Sequence, residues 1–107
     1  MNPMTESDIE YKILKIIEDN PNLTQRQIAK LVGVSLGKTN YMVRSLIDKG
    51  WLKINNFRRS DNKLGYLYHL TPQGLINKSV LAESFLRRKS EEYNRLKEEI
   101  EILKKEI

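Results

Sequence analysis

Apolar side chains recur along this chain in several distinct rhythms, and each rhythm predicts an element. Ile9, Ile13, Ile16 and Ile17 return at helical spacing and give one buried stripe. Ser7-x-x-Glu10 reads as the capping box that opens this first helix. Asn20-Pro21-Asn22 closes it, because proline cannot continue the hydrogen-bond ladder. Thr24-x-x-Gln27 is a second capping box, opening a short helix with Ile28, Leu31 and Val32 as its apolar side and Gly33 as its stop. Ser35 caps a third helix, residues 35–49, with Thr39, Met42, Val43 and Leu46 inward and Gly50 next.

Beyond Gly50 the rhythm changes. Trp51-Leu52-Lys53-Ile54 and Tyr66-Leu67-Tyr68-His69-Leu70 are rich in β-favouring residues and read as two strands. Residues 55–65 between them form a polar, basic loop with a turn-forming Ser-Asp-Asn centre. Thr71-Pro72 then opens a last helix, which meets no breaker after Gly74 and would reach about 50 Å if continuous to residue 107. Two helices joined through a glycine turn make a helix-turn-helix, and a hairpin placed directly after it makes a wing. The expected class is mainly α with a small β-hairpin: a winged helix-turn-helix over residues 1–71, then a long C-terminal helix over 72–107.

Charge sharpens this picture. The chain carries a net +5, unevenly placed: −3 over residues 1–23, +7 over 24–71 and +1 over 72–107. A cationic middle third is expected where phosphates are neutralised. The absence of cysteine and the single histidine, His69, leave little for a thiolate nucleophile, a metal site or imidazole catalysis. No cofactor, metal or enzymatic activity is therefore expected. No apolar run approaches membrane-spanning length, and the first residues lack the pattern of a signal peptide, so the expected location is the cytoplasm.

The stretch LTQRQIAKLVGVSLGKTNYMVRSLIDKGWL, the basic wing RRSDNK and the exit LTPQG resemble the MarR-type winged helix-turn-helix regulators over roughly residues 9–77. More narrowly, the chain is similar to the EPS-associated (exopolysaccharide) subgroup of that family. The resemblance implies a transcription regulator, of repressor type, acting on double-stranded DNA. Family wings usually carry an aspartate followed by two arginines, whereas this one has Asp61-Asn62-Lys63, with Arg58 and Arg59 upstream as replacements. Family members often bind small aromatic ligands between the DNA-binding lobe and a helical dimerisation domain. With one helix before the motif and one after the wing, a small-molecule effector is left open here.

In a helix-turn-helix the second helix enters the major groove. Its outward set here is Leu36, Gly37, Lys38, Asn40, Tyr41 and Arg44. Arg44 suits guanine, Asn40 adenine and Leu36 a thymine methyl, while Lys38 supplies charge and Gly37 lets the backbone approach. Phosphate contacts are expected from Thr24, Gln25 and Arg26 at the start of the second helix, and from the wing residues Arg58, Arg59 and Lys63 along the adjacent minor groove. Duller roles compete: Lys38 and Arg44 as solvated charges, Tyr41 packed on the first helix, Trp51 as a core anchor.

The last helix has its own seam. Leu86, Tyr93, Leu96, Ile100, Leu103 and Ile107 fall on three- and four-residue steps, interrupted by Lys89. With Tyr93 at a, Leu96 and Leu103 fall at d and Ile100 and Ile107 at a, the pattern of a parallel two-stranded coiled coil. Glu92 and Glu99 at g would face Lys97 and Lys104 at e of a second chain, whereas an antiparallel pairing would oppose like charges. The remaining apolar residues Leu75, Ile76, Val80 and Leu81 are expected to pack on the first helix. A parallel homodimer reading a pseudo-palindrome follows. Two other functions fit the same fold: a protein-interaction adaptor, and a non-specific architectural DNA binder.

Overall fold

The computed structural model describes residues 4–58 and 64–107. In chain order these form α1 (Glu6–Asp19), α2 (Gln25–Val32), α3 (Leu36–Asp48), β1 (Leu52–Arg58), β2 (Leu64–Leu70) and α4 (Pro72–Lys104). The expected order and kind of elements are all present.

Helix α1 starts earlier than its sequence pattern suggests. Thr5, not Ser7, is the cap: its hydroxyl accepts from the Asp8 N–H at 3.1 Å, and the Asp8 carboxylate accepts from the Thr5 N–H at 3.2 Å. Aspartate closes the reciprocal box that glutamate or glutamine more often closes, which hid this start. The Thr24 and Ser35 caps and the Thr24–Gln27 box form as expected. Gly33 and Gly50 follow α2 and α3 with φ of +87° and +79°, the left-handed conformation that ends a helix without a Cβ penalty.

The core lies among α1, α2, α3 and the base of the hairpin. Ile13, Leu14 and Ile17 of α1 meet Ile28 and Val32 of α2, Met42, Val43 and Leu46 of α3, and Leu52 and Tyr68 of the strands. Each buried large aliphatic side chain is worth about 1.5–3 kcal/mol. Thr39 is fully buried among them, its hydroxyl donating to the Ser35 carbonyl at 2.9 Å. Leu31 is 63% exposed, contrary to expectation, and Ala29 is buried in its place. At about 100° per residue, Ile28, Ala29 and Val32 share one stripe of α2, and Leu31 lies off it.

The strands pair antiparallel from Leu52 opposite Leu70 to Arg58 opposite Leu64. Pairing thus runs well into the stretch read as loop, because backbone ladder bonds do not depend on apolar side chains and Asn55-Asn56 carries no hydrophobic signal. Trp51 packs against the edge of the core, as expected for an anchor, with the Lys49 ammonium 4.8 Å from its ring centre.

The hairpin, α3 and α4 meet at Thr71. Its hydroxyl donates to the Gly50 carbonyl at 2.5 Å and accepts from the Gly74 N–H at 3.0 Å, and its own N–H donates to the Trp51 carbonyl at 3.0 Å. Gly74 is buried here: a Cβ at this position would lie 2.0 Å from the Trp51 carbonyl oxygen.

From this junction α4 runs for 33 residues, about 50 Å. Lys78, Leu81, Phe85 and Arg88, at steps of three and four, form its inner face. Lys78 pairs with Glu18, Phe85 stacks on Tyr11 with ring centres 5.2 Å apart, and Arg88 reaches Asp8. Of the four apolar residues expected against α1, only Leu81 is there; Leu75, Ile76 and Val80 are exposed. The docking stripe is built mainly from aromatic and charged residues, so aliphatic periodicity does not reveal it. From Lys89 to Ile107 every residue is exposed.

Candidate nucleic-acid interface

The outward side of α3 follows from the inward one. Burying Thr39, Met42, Val43 and Leu46 turns Leu36, Asn40, Tyr41 and Arg44 to solvent; Leu36 is 43% and Tyr41 60% exposed. Tyr41 is thus mostly open to solvent rather than buried against α1. Asn40, Tyr41 and Arg44, with Ser45, Asp48 and Lys49, line an open cleft of about 580 Å³ along this face. Ser45, Asp48 and Lys49 were not among the expected contacts. A Cβ built at Gly37 meets nothing within 4 Å, so the backbone there is open to close approach.

The cations on this face are not equally free. The Lys38 ammonium lies 2.9 Å from Glu6 of α1 and 5.3 Å from the centre of the Tyr41 ring. Lys49 is held at 2.5 Å by Glu10, whose side chain is 9% exposed. Arg44 is exposed with no ion pair among the described residues.

At the start of α2, Thr24 is occupied as a cap: its hydroxyl accepts from the Gln27 N–H, and its own N–H donates to the Gln27 side chain at 2.8 Å. Arg26 points to solvent. Gln25 is half-buried, donating to the Tyr68 hydroxyl at 3.2 Å and accepting from the Asn40 amide at 3.1 Å. Arg58 ends β1, but its side chain, with Arg59 and Lys63, lies outside the described residues. The sequence missed the Glu6 and Gln25 links because their partners are 32, 15 and 43 residues distant.

The seam residues of α4 share one exposed face. Leu86, Tyr93, Leu96 and Leu103 are each more than half exposed, Ile100 is 44% exposed and Ile107 fully so. No helix is long and apolar enough to cross a membrane, among the described residues.

A family model described as winged helix-turn-helix DNA-binding matches residues 6–53, from the first turn of α1 into β1. The matched stretch holds the three helices and the start of β1, and the β1–β2 hairpin that follows completes a winged helix-turn-helix fold. Its solved neighbours include MarR-family regulators. An E. coli MarR variant complexed with operator DNA is 26% identical, over 69% of this chain and 51% of that one, with a TM-score of 0.54. The PcaV transcriptional regulator from Streptomyces coelicolor, in complex with its natural ligand, is 25% identical over 73% of this chain and 54% of that one, at 0.59. A PadR-like regulator from Bacillus cereus superposes more completely, over 87% of this chain and 95% of that one at a TM-score of 0.74, but at 18% identity it shows the fold alone. This winged helix-turn-helix chain spans about half the length of the MarR-type proteins it matches. No curated protein matches it.

Proposed function

We propose that this chain is a sequence-specific double-stranded DNA-binding transcription regulator of MarR type, acting as a parallel homodimer in the cytoplasm and repressing its genes without catalytic activity. The observation that carries the reading is the outward face of α3, where exposed Arg44 and Asn40 stand on the helix that a winged helix-turn-helix inserts into the major groove. The operator complex of the MarR variant supports it by analogy of fold. The strongly cationic middle of the chain supplies phosphate attraction in the same region.

Arg44 and Asn40 read bases, helped by Leu36, Gly37, Lys38 and Tyr41, while Arg26, Arg58, Arg59 and Lys63 hold phosphates. The seam from Leu86 to Ile107 joins two chains, so that two copies of α3 meet two half-sites.

Selection of bound fragments from a random duplex library at near-physiological salt tests this, with Arg44→Ala and Arg58→Ala beside the wild type. An inverted repeat is expected, blurred by Arg44→Ala and weakened uniformly, with a shallower salt slope, by Arg58→Ala. Fragments without a common motif would favour an architectural binder. Recovery of no DNA would favour an adaptor that uses exposed Leu36 and Tyr41 against a protein.

A further inference from the structure

We propose that Gln25 is a positioning residue for base recognition, holding the Asn40 amide ready for an adenine, and that the Tyr68 hydroxyl of the wing strand holds Gln25 in turn. The proposal rests on the reading of α3 as a major-groove helix and assigns Gln25 a task other than phosphate contact.

The chain of groups crosses three elements. Tyr68 of β2 is 4% exposed, with its ring in the core, so its hydroxyl is a fixed point rather than a swinging one. Gln25, the first residue of α2, spans from that hydroxyl to Asn40, with contacts of 3.2 and 3.1 Å at its two ends. A glutamine with both ends engaged has lost most of its rotamer freedom. Asn40 is exposed and would otherwise turn freely about its side-chain bonds.

The valences then fit one base. An asparagine amide offers two N–H donors and a carbonyl acceptor. Adenine pairing requires Gln25 to take the N–H anti to Oδ1, which leaves the other N–H beside Oδ1. That pair complements N7 and the N6 amino group of adenine in the major groove. Guanine presents acceptors at both N7 and O6, so it would leave Oδ1 facing another acceptor. Holding the amide before binding removes the ordering cost that a free side chain incurs on contact.

The test uses the fragment selected by wild-type protein, and its version with guanine in place of adenine at the position that Asn40→Ala blurs. Tyr68→Phe removes only the hydroxyl, and Gln25→Ala removes the bridge without touching the core. Both are expected to reduce the adenine preference roughly 2- to 10-fold, with affinity for random DNA and the salt slope unchanged. In an Asn40→Ala background neither should have any further effect. A uniform loss on all DNA with a shallower salt slope for Gln25→Ala would make it a phosphate contact and overturn the proposal. An adenine preference undiminished in both variants would also overturn it, leaving the DNA reading intact. Failure of the wild type to select any motif would instead bring down the DNA reading and this assignment with it.

Discussion

The guanidinium of Arg88 lies on the carboxylate of Asp8, joining α4 to the first turn of α1 across 80 residues of chain. Burial of Asp8 favours its neutral form. The hydrogen bonds from Arg88 and the Thr5 N–H, the charge of Arg88 and the Thr5 side chain together outweigh that, and the carboxyl titrates below its ordinary 3.8. A carboxylate with a depressed native pKa contributes stability that is complete above its unfolded pKa and lost as pH falls through the native one. Asp8→Asn should therefore cost about 1–3 kcal/mol at neutral pH, with a gap to wild type that narrows below about pH 4. Urea unfolding across pH 2–7 reads this directly, and a gap independent of pH would show that the pair's charge contributes nothing.

Gly74→Ala puts a methyl group into the Trp51 carbonyl at the junction beneath α4. The helix must shift to admit it, and overpacking of this kind costs about 1–3 kcal/mol. Alanine is otherwise the better helix former. Thermal unfolding should show a lower midpoint; an unchanged or raised midpoint would mean that the junction yields at little cost.

Glu6 holds Lys38, one of the cations on the α3 face, in the DNA-free chain. A phosphate or base that recruits Lys38 must displace that carboxylate. Glu6→Gln is expected to tighten DNA binding by up to about 5-fold, since an exposed pair is worth about 0–1 kcal/mol. The gain should fade at high salt. Weaker binding in the variant would mean that Glu6 orients Lys38 productively.

Leu96 and Ile100 lie on the exposed seam of α4, away from every core contact. Leu96→Asp should convert a dimer to monomers in sedimentation equilibrium while leaving the fold of the winged domain unchanged by circular dichroism. Binding to a selected inverted repeat should fall by 10-fold or more, on the order of the avidity lost when two linked sites become one. A wild type that sediments as a monomer would leave the seam without its role.

Much of the fold was legible because local chemistry and apolar periodicity agreed. Thr24 with Gln27, Ser35 with Gly50, and Thr71 with Pro72 each mark an element edge within a few residues. What escaped was decided by partners far along the chain. Leu31 looks like core in isolation, yet the neighbours of α2 cover the side bearing Ala29. The docking face of α4 uses Phe85, Lys78 and Arg88, whose mates Tyr11, Glu18 and Asp8 lie far along the chain and share no periodicity with them. On α3, the outward position of Asn40 and Arg44 followed from helical geometry alone. The bridge from Tyr68 through Gln25 to Asn40 depends on tertiary placement, and no spacing announces it.

Helix α4 is one unbroken rod from the Thr71 junction to its tip, so the direction in which its seam faces is locked to the direction in which α3 faces. Rotation about that rod is consequently a matter of phase. One residue inserted after Arg88 would swing the seam by about 100°, while seven would return it almost to where it began. In a dimer joined through this seam, the relative bearing of the two winged domains is thus a property of residue count between junction and seam, for any residues that keep the helix unbroken.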